Sequence, residues 1–114
     1  NFRLLQNLGY PLIKPVLPEL FEWIQDMNWP IANNISTFLA ELGVKVKPQI
    51  QLILSSNDGM WKYWTITSVI GRMHLEDVKE FKPDLNHLLA NLSEDDRENE
   101  VDIVALELLK KFEN

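Results

Sequence analysis

The sequence predicts an all-α protein: a short, right-handed α-solenoid of three antiparallel helix pairs with an N-terminal capping helix fragment. Three observations carry that expectation. The phrase apolar-Lys-Pro-x-apolar occurs at Ile13–Leu17, Val46–Ile50 and Phe81–Leu85, with its prolines 33 and 35 residues apart. Behind each proline the apolar residues keep the same helical offsets. Beyond each run lie a polar corner and a second apolar run at helical spacing. Helix pairs recurring at this period mark solenoid arrays, in which no single pair can bury its apolar stripe and stacking completes the core.

In chain order, Phe2, Leu4, Leu5 and Leu8 precede Gly9 and read as the end of a short helix that caps the array. Pro15, Pro48 and Pro83 each mark a helix start, because proline's preset φ suits the first turn and its missing N–H would have no partner there. Pro18 still falls within that first turn. The stripes that follow are Leu17, Leu20 and Phe21, then Ile50, Ile53 and Leu54, then Leu85, Leu88 and Leu89, each at i, i+3, i+4.

The corners follow at Asp26–Pro30, Ser56–Trp61 and Ser93–Asp96. Asp58 and Ser93 are suited to N-capping, and Ser93 with Asp96 has the form of a capping box with Asp in place of Glu. The second helices are set by Ile35, Phe38, Leu39 and Leu42, by Ile66, Val69, Ile70 and Met73, and by Val101, Val104, Ala105 and Leu108. All three are i, i+3, i+4, i+7. Gly43 and Gly71 end or loosen the first two.

A chain of 114 residues fits one domain, spanning residues 1–114, and can bury a sizeable core. Without cysteine it has no disulfide framework, thiolate chemistry or Cys-ligated zinc, and a cytoplasmic location is expected. The uncharged stretch Ile31 to Ala40 is too short to span a bilayer and contains Asn33 and Asn34, so no membrane association is expected. The net charge of −6 is concentrated at one end: residues 1–93 hold eight Lys/Arg against nine Asp/Glu, and residues 94–114 hold three against eight. A nearly neutral body with an acidic tail lacks the basic stripe that phosphate neutralisation requires, which disfavours nucleic acid.

The segment Leu17-Pro-Glu-Leu-Phe-Glu-Trp-Ile-Gln-Asp-Met-Asn-Trp-Pro30, together with Ser56-Asn-Asp-Gly-Met-Trp-Lys-Tyr-Trp64, resembles the bacterial family known as domain of unknown function 5071. The most specific part is Trp-x-x-Asp-Met-Asn-Trp-Pro, and the likeness covers the chain from about Leu8 to the last helix. It implies a compact run of HEAT-type helix pairs, with family members extending further before the position of Phe2. It brings no activity, cofactor or catalytic residue.

Read for chemistry, the residues favour binding over catalysis. His74 and His87 are thirteen residues apart with no ligand partner at i+3 or i+4, and both read as surface or capping residues. Glu19, Glu22 and Asp26 form a carboxylate row at i, i+3, i+7, which reads as a solvated face, not as a metal site. The sequence has no phosphate loop, nucleophile elbow or His-Glu-x-x-His pair, so neither an enzyme nor a cofactor is expected. Glu94, Asp95, Asp96, Glu98, Glu100 and Asp102 begin a helix that ends in Lys110 and Lys111, complementing the macrodipole at both ends.

The tryptophans are the most informative residues. Trp23 and Trp29 flank the first corner, while Trp61, Tyr63 and Trp64 crowd the second. Rings at corners fill the space between stacked pairs. Trp61, Trp64 and Ser68 also lie off the core stripe of their helix, which suggests a concave partner-binding surface formed by Trp61 and Trp64 with Lys62, Thr65 and Arg72, since Trp and Arg dominate interface hot spots. The expected function is a non-catalytic protein-binding or scaffolding module, monomeric or weakly dimeric, with a basic protein such as a toxin as its partner. The alternative is a helical-repeat protein that processes nucleic acid.

Overall fold

Each Lys-Pro phrase opens a helical turn in the computed structural model, which describes residues 10–111. The chain starts with α1 (Tyr10–Ile13) and passes through a 3₁₀ turn carrying Pro15 into α2 (Leu17–Glu22), which tightens into a second 3₁₀ turn, Trp23–Gln25. α3 (Pro30–Leu42) follows the first corner, and the 3₁₀ turn Gly43–Val46 leads into α4 (Lys47–Leu54). Beyond the second corner, α5 (Gly59–Trp64) widens into a π turn, Thr65–Val69, and closes as a 3₁₀ turn, Ile70–Arg72. The remaining helices are α6 (Leu75–Lys79), α7 (Lys82–Ala90), α8 (Glu94–Glu98) and α9 (Val101–Lys110). Among the described residues there is no strand. The capping fragment expected at Phe2–Leu8 lies outside the described residues.

The apolar stripes account for the packing. Leu17, Phe21, Ile50, Leu85, Ile35, Leu39, Ile66, Ile70, Val101 and Ala105 are all buried, and the buried side chains form one continuous cluster. Phe21 and Phe81 are its largest fully enclosed members. Each such side chain stabilises the fold by about 1.5–3 kcal/mol through removal from water. α2 packs on α4 and α4 on α7, while α3 packs on the π turn and the π turn on α9. First helices thus meet first helices, and second helices meet second helices.

Polar side chains tie the second Lys-Pro unit to the third at separations close to the 35 residues between Pro48 and Pro83. Lys47 Nζ donates to the Glu80 carbonyl at 2.8 Å, 33 residues on. Gln51 Nε2 donates to Asp84 Oδ1 at 3.0 Å, again 33 residues on, and Lys62 reaches Asp96, 34 residues on. The expected caps form as well. Asp58 accepts from the Trp61 N–H at 3.0 Å, and Ser93 and Asp96 make a reciprocal capping box. Gly43 ends α3 at φ 59°, a conformation that an L side chain rarely adopts.

The structure departs from the expected elements in three places. The second helix of the middle unit is not uniform, since the Thr67 hydroxyl donates to the Tyr63 carbonyl at 3.0 Å and the Ile70 N–H to the Ile66 and Thr65 carbonyls as the turn widens. The acidic last helix is two helices, because Glu100 adopts a left-handed conformation at φ 60° between α8 and α9. The acid run therefore begins α8, whereas Lys110 ends α9. A short helix not expected from the sequence, α6, lies between the second and third units.

Candidate functional site

The five residues expected to share a surface are not brought together. Trp61 sits in the first turn of α5, held at its backbone by the Asp58 cap and at its indole N–H, which donates to the Phe21 carbonyl at 2.8 Å. Its half-buried ring borders a groove of about 210 Å³ between α2 and α4, lined also by Pro18, Phe21, Gln49, Leu52 and Ile53, with Glu22 at the edge. Leu52 is 67% exposed on the rim. Trp64 opens on another hollow, of about 300 Å³, with Met60, Tyr63, Glu98, Asn99 and Glu100. Tyr63 and Trp64 meet edge to face there, with ring centres 4.8 Å apart.

Lys62 and Thr65 are buried, so neither contributes to an accessible surface. Lys62 Nζ donates to Asp96 Oδ1 at 2.9 Å and Oδ2 at 3.2 Å, inside the contact between α5 and α8. Asp96 Oδ2 also accepts the Ser93 N–H at 3.0 Å. Burial alone would raise the Asp96 carboxyl. The Lys62 hydrogen bond and charge, together with the Ser93 hydrogen bonds, outweigh that effect and hold its pKa below the ordinary value of 3.8. Thr65 is fully enclosed, and its hydroxyl has no hydrogen-bond partner. Arg72 is exposed but points to α3, where Nη1 donates to the Asn33 carbonyl at 3.2 Å and to Thr37 Oγ1 at 3.0 Å.

These residues turn inward because α5 and its π turn are packed on several sides. They touch α3 and the Trp23–Gln25 turn as well as α8 and α9. An element covered in this way buries its flanks in addition to its stripe.

A second hollow, of about 550 Å³, lies at the first corner and is lined by Glu19, Glu22, Trp23, Gln25, Asp26 and Trp29. Trp23 is 48% and Trp29 58% exposed. Asp26 Oδ1 accepts the Asn28 N–H at 2.9 Å, which fixes the corner in an Asx-type turn. Glu19 and Glu22 form no ion pair with any described residue. Both signals were present in the sequence, as the carboxylate row and as the tryptophans flanking the corner; their convergence depends on how α2 turns into the corner.

The described residues hold no group of three His, Asp or Glu side chains able to bind a metal ion, and no helix among them is long and apolar enough to cross a membrane. The family model described as Domain of unknown function (DUF5071) matches residues 2–109. The chain belongs to that family. The match spans all three Lys-Pro units and both tryptophan corners, so the groove and the two hollows all lie within the family domain. No curated protein and no solved structure matches the chain.

Proposed function

We propose that this member of the family is a non-catalytic protein-binding module, a HEAT-like stack of three antiparallel helix pairs that holds a basic protein partner. The observation that carries this reading is the Trp61 groove. Leu52 stands 67% exposed beside a tryptophan whose indole is anchored to the Phe21 backbone, giving a largely apolar recess with one ring fixed in place. Pre-fixed aromatic rings bind with little loss of side-chain freedom, which is why they dominate interface energetics. The separation of 33 and 34 residues between hydrogen-bonded partners supports the stacked arrangement. The net charge of −6 and the Glu22 rim support a basic partner, and a cytoplasmic toxin neutralised by a small acidic bacterial protein fits that chemistry by analogy.

The test compares affinity capture by the wild-type chain and by Leu52→Glu, which places a charge in the groove without touching the core. A partner retained by the wild type and lost by the variant supports the module. Equal capture by both moves the binding surface elsewhere. Retention of DNA or RNA on a filter at low salt would replace the protein partner with a nucleic acid.

A further inference from the structure

The corner hollow faces solvent with two indole surfaces and three carboxylates, and among the described residues no Lys or Arg lines it. Exposed tryptophan is costly to leave in water unless it is covered, and here Trp23 and Trp29 are about half exposed on the same concavity. The face of an indole attracts cations through its quadrupole, and nearby carboxylates add a charge that the same cation neutralises. A purely apolar occupant would satisfy only the indoles, and an acidic one would satisfy neither feature. A guanidinium satisfies both, because it stacks on aromatic faces while donating from its edge to carboxylates.

We infer that the Trp23–Trp29 corner is a receptor for a cationic side chain, arginine above lysine, presented by a protein partner. The inference rests on the binding-module reading and specifies the partner's chemistry. Glu22 lines both this hollow and the Trp61 groove, so the two are neighbours on α2. A single segment of the partner can therefore place an apolar side chain in the groove and an arginine at the corner. Asp26 is held by the Asn28 N–H, which leaves Glu19 and Glu22 as the carboxylates free to turn toward the guanidinium.

The probe is a short synthetic peptide of leucines and arginines, titrated into the full chain while the indole N–H signals are followed by NMR. Trp23→Phe, Trp29→Phe and Trp61→Phe assign those signals. The expected result is saturable movement of the Trp23 and Trp29 signals, weakened by added salt and about fivefold by Glu22→Gln, the loss expected for one exposed charge pair. The same peptide with citrulline, the uncharged isostere, is expected to leave the two signals in place.

Equal movement with citrulline overturns the inference. So does movement of Trp61 alone, which leaves the groove reading standing. Movement of Trp23 and Trp29 with Trp61 unmoved upholds the cation receptor and removes the groove. If Trp23→Ala instead turns a dimer of the free chain into a monomer in sedimentation, the corner is covered by a second copy and the inference fails.

Discussion

Two acidic regions of this chain have opposite fates. At Ser93–Asp96 two carboxylates are used within the fold: Asp96 completes the Ser93 capping box of α8 and pairs with buried Lys62, and Asp95 Oδ2 accepts the Gly59 N–H at 2.7 Å. At the first corner, Glu19 and Glu22 are exposed and unpaired beside two tryptophans. Composition does not separate them. The difference is which face is covered: α5 packs on the face of α8 that carries Asp95 and Asp96, whereas the corner hollow opens outward although the Trp23–Gln25 turn beside it meets α5. A carboxylate facing another helix becomes structural, and one facing water stays available to a ligand.

The contrast breaks most severely at Lys62. Lys62→Met leaves Asp96 buried without its counterion, and urea denaturation is expected to show a loss of about 3–5 kcal/mol. Pairing it with Asp96→Asn is expected to recover part of that loss, since no uncompensated charge then remains inside. Gly59→Ala comes next. A Cβ at that position would lie 2.6 Å from the Asp95 carbonyl oxygen, so α5 and α8 must separate, at a cost of about 1–3 kcal/mol read as a lower melting temperature.

Acid tests the same pair through protonation. Because the folded Asp96 pKa lies below 3.8, its contribution to stability is complete above that value and is lost as pH falls through 3.8 toward the folded pKa. Denaturation midpoints measured between roughly pH 6 and pH 2 are expected to fall in the wild type, and to fall less steeply in Lys62→Met, which lacks the charge that depresses the carboxyl. The smallest effect belongs to the other region. Glu19→Gln and Glu22→Gln are expected to change stability by less than about 0.5 kcal/mol, because no contact in the fold depends on them. A larger loss would place those carboxylates in the fold alongside Asp96.

Much of the architecture could be read locally. Pro48 and Pro83 start helices through their own φ and missing N–H, and the Ile50 and Leu85 stripes follow from 3.6-residue periodicity, which needs no knowledge of neighbours. The Ser93–Asp96 box is equally local. Lys62 and Thr65 were misplaced because their burial depends on neighbouring elements: an isolated hairpin would expose them, and only the arrival of α8 and α3 covers them. The left-handed Glu100 carries no glycine or asparagine signal at its own position, so the split of the last helix was not visible. At the candidate site, the separation of Trp61 from Trp64 into different hollows depends on how α5 is rotated between its neighbours.

The hydrogen bonds spanning 33 and 34 residues also bear on whether the chain is divisible. Repeat proteins are commonly shortened by whole units, since each unit contacts only its neighbours. Here a chain ending at Asn91 would lose Asp96 and leave the Lys62 ammonium facing a surface built to enclose it. Such a fragment is expected to be unfolded in circular dichroism at room temperature instead of forming a smaller stable array. Loss of its structure would mean that the segment carrying Asp96 and the helices before it melt as one unit.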